Sequence, residues 1–387
     1  MKKRILALLL ACVMALGLAA CTSAQEPKEE NKNTPQNETA GIAKDDLKVG
    51  LILVGEAADA YNANHVDGME KATQALGLDF DSQVIVKTNI AEDAGCDAAI
   101  RELVEAGCQI IFSNSFGHEA YMVEVAPEYP DIQFCAATGY QSAGDDLDNT
   151  HNYFAEIYQA RYLAGIAAGL KTQTNKLGYV AAKPFAEVIS GYTAFYLGAK
   201  SVNPEVEMYV NYTNEWSDAG KEATNAQALI DQGCDVISQH SDTSAPATTA
   251  ESNGVWAVGY NDDMIPVAPL AALCSARINW GVYYEYALGC MLEGKDIDQD
   301  WWAGYADGAV YVSDLNEATV AEGTAEAIKK AEDELKAGTL FVFAGPLTGT
   351  NADGKTIELA EGEHYTENEK ASAPSWDYII PGINVLS

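Results

Sequence analysis

The sequence predicts an α/β protein of two similar lobes, each a parallel sheet covered by helices, and three observations lead there. The phrase "LVEAGCQIIFSN", Leu103 to Asn114, returns 126 residues later as "LIDQGCDVISQH", Leu229 to His240. Strand-like and helix-like segments alternate around each copy in the same order, the pattern of an α/β sheet. A chain of 387 residues also exceeds one ordinary domain of about 100 to 200 residues, so two cores are expected.

The first 46 residues stand apart. "MKKR" followed by "ILALLLACVMALGLAA" joins a basic start to a short apolar run, which suits an export signal rather than a membrane span. The run ends in "LAAC", Leu18 to Cys21, which is similar to the lipobox of bacterial lipoproteins. Residues 1–20 are thus expected to be a signal peptide and Cys21 to carry the lipid. The polar stretch from Cys21 to Asp46 has no aromatic residue, cannot bury enough apolar surface to fold, and reads as a flexible tether.

The lobes follow in parallel. "LKVGLILVG" (47–55) opens the first and "NKLGYVAAK" (175–183) the second, with Gly50 and Gly178 in matching places. Helical stretches come next, "HVDGMEKATQALG" and "ISGYTAFYLGAKS", then the strands "QVIVKTNI" and "EMYVNYTNEW". Each copy of the repeated phrase ends a helix at Gly107 or Gly233, where glycine accepts the left-handed conformation of a helix C-terminus. It then enters a short apolar run, "QIIFS" or "DVISQ", suited to a strand buried on both faces. "IQFCAATGY" and "VWAVGYNDD" complete the match. Lobe one is expected over 47–172 with part of 275–300, and lobe two over 173–274 with part of 301–387. Crossings are expected near 170–176 and 273–280, with a later third left unplaced.

Composition narrows the partners. The formal charge is −34, and removal of Lys2, Lys3 and Arg4 with the signal takes it to −37. A field of that sign argues against nucleic acid and against anionic membrane surfaces as partners of the folded body. The core cysteines Cys96, Cys108, Cys135, Cys234, Cys274 and Cys290 form no CxxC. Cys108 and Cys234 open apolar strands, where a cysteine packs as a small hydrophobe, so mostly unpaired thiols are expected. The five histidines show no metal-ligand spacing, so no metal is expected.

In a parallel α/β sheet, ligands bind beyond the carboxyl ends of the strands. The loops there read "GEAADAYN" (55–62), "SNSFGH" (113–118) and "ATGY" (137–140) in the first lobe. In the second they read "AAKPF" (181–185), "TNEWSD" (213–218), "QHSD" (239–242) and "GYNDD" (259–263). Aromatic rings offer stacking and Asp or Asn offer acceptors for N–H groups, whereas an anionic ligand calls for Arg, Lys or a glycine-rich helix start. Lys183 is the one cation in these loops. A flat, neutral, nitrogen-rich ligand fits.

The chain resembles the basic-membrane-protein family, the PnrA-like substrate-binding lipoproteins of ABC importers. The carriers include "SFGHEAYMVEVAPEYPDIQFCAATGY", "YFAEIYQARYLAGIAAGLKTQTNKLGYVAA", "ALIDQGCDVISQHSD", "GYNDDM" and "WDYIIPGI". The resemblance implies two Rossmann-like lobes in a type I periplasmic-binding-protein fold, closing by a hinge on a purine base or nucleoside held between aromatics. It implies an ABC permease and its ATPase as partners, a monomer outside the cytoplasm, and no cofactor. The family's first-lobe motif places Ser-Phe-Asn after an aspartate. Here Asp59, Ala60, Tyr61 and Asn62 stand there, which makes Tyr61 one stacking candidate and Asp59 and Asn62 its polar neighbours. Trp216 is the opposing candidate, with Phe116 and Phe185 as alternates and Ser115 beside them. Asp242 and Asp263 are expected polar contacts, with Asp262 able to exchange roles with Asp263. Many nucleoside-binding members carry a lysine near the last crossover, where this chain reads "CSARINWG". Trp280 in that stretch is expected to fill space a ribose would take, favouring a free base.

Blander roles compete at each position. Tyr61, Trp216, Phe116 and Phe185 could cap the lobe cores, and Asp242 and Asp263 could be N-caps. Trp301 and Trp302 read as packing or rim residues. "GTNADGKT", Gly349 to Thr356, satisfies the phosphate-loop pattern, yet "ADGK" is hairpin-turn chemistry and no helix follows. Hydrolase, dinucleotide and zinc-protease motifs are missing from the sequence, so a binding protein is expected rather than an enzyme. The alternatives are a binding protein of the same fold for a sugar or other small neutral ligand, or a surface lipoprotein for protein partners.

Overall fold

The computed structural model describes residues 41–144, 146–367 and 371–386. The expected signal peptide, the lipid site Cys21 and most of the tether lie outside the described residues. All described residues fall within one compact unit, Glu38–Ser387.

Along the chain come β1 (Val49–Ile52), α1 (Ala60–Leu76), α2 (Phe80–Gln83), β2 (Val84–Lys87), α3 (Ala94–Glu105), β3 (Ile110–Ser113), α4 (Glu119–Val125), β4 (Gln133–Ala137) and β5 (Thr150–Ala155). Then follow α5 (Ile157–Lys171), β6 (Lys176–Ala181), α6 (Ala186–Val202), β7 (Glu207–Tyr212), α7 (Ala219–Asp231), β8 (Val236–His240), α8 (Ala245–Ser252), β9 (Trp256–Tyr260) and β10 (Ala272–Ile278). The last elements are α9 (Gly281–Glu293), β11 (Asp300–Ala303), β12 (Val310–Val312), α10 (Thr324–Lys336), β13 (Leu347–Thr350), β14 (Thr356–Leu359) and β15 (Ile383–Val385).

The strands build two large sheets, ordered β11-β5-β4-β3-β1-β2 and β12-β10-β9-β8-β6-β7-β15. All neighbours run parallel except β10 and β12. The inner order β5-β4-β3-β1-β2 recurs as β10-β9-β8-β6-β7, so the doubled phrase builds equivalent units in the two lobes. Gly107 and Gly233 take φ of 88° and 90°. Beyond them the amides of Cys108 and Cys234 donate to Leu103 and Leu229 carbonyls at 3.1 and 3.2 Å, the bond that closes a left-handed helix terminus. At the amino ends of the same helices, Asp93 accepts from the Gly95 amide and Asp218 from the Lys221 amide. Gly50 and Gly178 let helix pack onto strand: a Cβ would stand 2.8 Å from Leu103 Cδ1 in one lobe and 3.0 Å from Leu229 Cβ in the other.

The lobes depart from the expected boundaries at two elements. Helix α5 was expected in lobe one, but it packs on α6 and β10 of the second sheet. The first crossing therefore lies between Ala155 and Ile157 rather than near 170–176. Close contact explains the placement, since Gly165 and Gly169 of α5 and Gly198 of α6 each face a backbone carbonyl of the other helix, those of Phe195, Ala199 and Tyr162. Strand β11 falls in the stretch expected in lobe two, yet it pairs with β5 of the first sheet. The chain returns to lobe one between Ile278 and Gly281, where α9 packs on α1, and crosses once more between Ala303 and Val310. The phosphate-loop pattern lies in an antiparallel hairpin, β13 with β14. Cys96, Cys108, Cys135, Cys234, Cys274 and Cys290 are buried free thiols, and no helix among the described residues is long and apolar enough to cross a membrane.

Candidate ligand-binding site

Strand ends of both sheets meet at one cavity. Val54, Tyr61, Asn114, Ser115, Phe116 and Thr138 line it from the first lobe, and Glu187, Trp216, His240, Asp242 and Tyr260 from the second. Little free space is left between the two walls, which makes the gap a narrow slot.

Carboxylates brace the loops that form the walls, in the same way in each lobe. Glu92 accepts from Ser115 Oγ at 2.7 Å and the Gly117 amide at 2.8 Å. Glu222 accepts from Ser241 Oγ at 2.8 Å and Thr243 Oγ1 at 2.7 Å. Burial pushes the Glu92 carboxyl up, but Ser115, the Gly117 amide and Lys183 outweigh it and hold the group below the usual range. For Glu222 burial wins over the same kind of hydrogen bonds and the carboxyl is raised. Glu119, buried beneath the 137–140 loop, accepts from the amides of Tyr140, Gln141 and Ser142 at 2.7 to 3.1 Å.

Tyr61 is oriented by its hydroxyl, which donates to the Asn114 carbonyl at 2.5 Å. The Asn114 side chain accepts from the Val54 amide at 2.9 Å and donates to Asn62 Oδ1 at 2.7 Å. Asn62 thereby sits behind the wall as a support. Opposite, the Trp216 carbonyl accepts from the Asp242 amide at 3.0 Å. Phe185 lies at the lip, its ring 6.1 Å from Trp216 and 5.8 Å from Phe116. Lys183 Nζ reaches Glu92 across the lip at 3.7 Å.

The second lobe supplies the titratable wall. Burial pushes Asp242 well above the carboxylate range, and the nearby Glu222, Glu187 and Asp59 reinforce this. Burial likewise pushes Glu187 up to about 7, with Arg161 acting against it. His240 is held well below its ordinary value by burial and then by the Arg161 charge. A neutral ring with its proton on Nε2 donates to Glu187 Oε1 at 3.3 Å. Arg161 itself lies buried over the Tyr260 ring, 3.5 Å from the centroid, and donates to the Gln239 carbonyl at 2.6 Å.

Of the residues singled out in the sequence, Tyr61, Ser115, Phe116, Trp216 and Asp242 line the cavity. Asp59, at the N-cap of α1, makes no capping bond and, like Asn62 and Phe185, is not among the lining residues. Three others lie away from the lining. Asp262 pairs with Arg277 at 3.1 Å, and Asp263 closes its own turn by accepting from the Ile265 amide at 3.0 Å. Trp280 is core, stacked on His65 at 4.1 Å with Tyr153 edge-on at 5.7 Å. The case for a free base built on Trp280 lapses with that position. Asn114, Thr138, His240 and Tyr260 occur in the quoted strand-end loops but were not singled out there, and Glu187, in the first turn of α6, lies outside those loops.

A model of the PnrA-like ABC transporter substrate-binding proteins matches residues 47–339. The chain belongs to that family. PnrA-like relatives include a purine-binding protein of Brucella abortus, 34% identical over 329 residues, with 82% of this chain and 92% of that one covered. Another, from Haloferax volcanii, is proposed to be an ABC transporter glucose-binding protein; it is 31% identical, with 79% and 76% covered. An ABC transporter solute-binding protein from Conexibacter woesei shares the fold, with a TM-score of 0.62 at 20% identity over 76% of this chain and 97% of that chain. The family is one of substrate-binding proteins, not of enzymes.

Proposed function

We propose that this PnrA-like protein captures a purine base or nucleoside in the interlobe slot, outside the cytoplasmic membrane, and delivers it to an ABC permease driven by its ATPase. The observation that carries the reading is the lining itself: Tyr61 and Trp216 from opposite lobes, carboxyl and amide groups between them, and no lysine or arginine among the lining residues. Such a wall stacks a flat ring and reads its N–H and ring-nitrogen edges while offering an anion nothing. The Brucella abortus relative, named for purine binding, supports it.

Binding begins on one open lobe, and the three short crossings act as hinges. Closure brings the second aromatic and Asp242 onto the ligand and expels water. Phe116 against Phe185 and Glu92 against Lys183 then seal the lip. The closed form is what the permease reads. A lipid on Cys21 and the polar tether keep the monomer at the membrane surface.

Calorimetry on the full chain, freed of bound ligand by unfolding and refolding, tests this with purine bases, nucleosides, glucose and amino acids. One-to-one binding of a purine is expected, weakened at least about tenfold in Trp216→Ala, the equivalent of about 1.4 kcal/mol lost with the stacking face. Binding of glucose in place of purines would align the chain with the Haloferax volcanii relative and sink the purine assignment.

A further inference from the structure

Glu187 is the one glutamate that lines the slot. Its Oε1 takes the His240 contact at 3.3 Å, Oε2 makes no hydrogen bond among the described residues, and the side chain keeps 14% exposure. Asp242 shares the same narrow space.

The charged and titratable groups around Glu187 are accounted for element by element. From α1 comes Tyr61, whose hydroxyl is committed to Asn114. Glu92, from the loop after β2, adds negative charge and is engaged with Ser115 and Gly117. Lys183 pairs with Glu92 rather than with Glu187. Arg161 of α5 spends its guanidinium on the Tyr260 ring and the Gln239 carbonyl. Tyr260 of β9 and Asp242 after β8 complete the wall. Among the described residues, no lysine or arginine bonds Glu187 directly.

His240 is a poor place for a proton. A Cβ built on Gly191 would lie 3.0 Å from His240 Nδ1 and 3.7 Å from Arg161 Nε, so Nδ1 and the guanidinium border the same small space. Both nitrogens are buried without a partner. Protonating Nδ1 would set imidazolium against guanidinium. Burial already holds the Asp242 carboxyl well above the carboxylate range, and an ionised Glu187 facing a neutral ligand in a slot closed to water would be equally unfavourable.

We propose that Glu187 meets the ligand as a neutral carboxyl whose Oε2 hydroxyl donates to a ring-nitrogen lone pair, so that the site selects heterocycles presenting an acceptor there and takes up one solvent proton on binding. The inference rests on the purine reading and names the face of the base that is read. Adenine, with unprotonated ring nitrogens along its edge, fits such a donor. Guanine does not fit by its N1–H and N2–H face, which calls for an ionised carboxylate. The position of the Glu187 carboxyl, pushed by burial up to about 7, leaves it largely ionised at pH 8 before the ligand arrives.

The experiment is calorimetry of the full chain with adenine at pH 8, in two buffers of different ionisation enthalpy, together with affinities from pH 5.5 to 8.5. Uptake approaching about one proton per adenine is expected, with affinity falling about tenfold per pH unit above pH ~7. Glu187→Gln keeps a donor that cannot titrate and should flatten the profile, whereas Asp242→Asn should leave the slope in place. Adenine binding without proton uptake in the unaltered protein overturns the proposal even where a variant fails to fold. A slope that survives in Glu187→Gln and vanishes in Asp242→Asn overturns it as well. Failure of every purine to bind at any pH is a different result, and it removes the purine reading itself.

Discussion

Gly198→Ala pits helix propensity against packing, and the two give opposite signs. In a helix interior the change normally favours folding by about 1 kcal/mol. Here a Cβ at 198 would press on the Tyr162 carbonyl oxygen, with the carbonyl carbon at 2.7 Å and Cα at 3.0 Å. Overpacking costs about 1 to 3 kcal/mol. The upper end applies because the obstacle is backbone, which cannot rotate away as a side chain can. The net expectation is a loss of about 2 kcal/mol. Gly289→Ala in α9 is the matched control, since nothing lies within 4 Å of its Cβ position; it should gain about 0.5 to 1 kcal/mol. Urea unfolding followed by far-ultraviolet circular dichroism reads both. A Gly198→Ala protein as stabilised as Gly289→Ala would refute the close crossing of α5 and α6. That crossing also has a functional side, because α5 carries Arg161 and the first turn of α6 carries Glu187. A wedge between the helices should therefore weaken ligand binding too.

Three further outcomes are expected. Burial sets the folded-state pKa of Glu187 at about 7 against an ordinary 4.5, so between those values the folded protein holds a proton that the unfolded chain releases. Ligand-free stability should thus fall as pH rises from 4.5 to 7, by on the order of 3 kcal/mol from this group; urea midpoints across that range should fall less steeply in Glu187→Gln. Removal of the brace in Glu92→Ala leaves Ser115 Oγ and the Gly117 amide without their acceptor, and binding should weaken about 5- to 30-fold, the equivalent of about 1 to 2 kcal/mol, as titration of ligand would show. Burial pushes the thiols up, Cys108 to about 11 and Cys96 to about 12. Iodoacetamide at pH 8 with peptide mapping should leave the six core cysteines of the native protein mostly unlabelled and mark all six in denaturant; rapid native labelling would contradict their burial.

The strand-end loops were legible because they follow from periodicity: a buried strand reads as an apolar run, and its carboxyl end is where a parallel sheet opens. Tyr61, Ser115, Phe116, Trp216 and Asp242 came from that rule or from the family resemblance, and they line the slot. Asp262 and Asp263 met the same positional criterion and Trp280 came from the resemblance, yet all three went elsewhere. Arg277 captures Asp262, a local turn takes Asp263, and the His65 ring draws Trp280 into the core. Glu187 carried no signal, since an acid in the first turn of a helix is ordinary; what distinguishes it is His240, 53 residues away in sequence.

The sequence by itself determined the two-lobed α/β plan, the equivalence of Gly107 with Gly233 and of Gly50 with Gly178, and the hairpin at Gly349–Thr356. These are written in local periodicity, turn chemistry and repetition, which need no knowledge of distant neighbours. Only the tertiary structure decided that α5 joins the second lobe, that β11 returns to the first, and that Glu187 and His240 come together in the wall of one slot with Arg161 behind them. Those outcomes depend on glycine faces meeting backbone carbonyls, on edge strands finding partners, and on burial shifting charge. Each is a property of groups far apart in the chain and close in space.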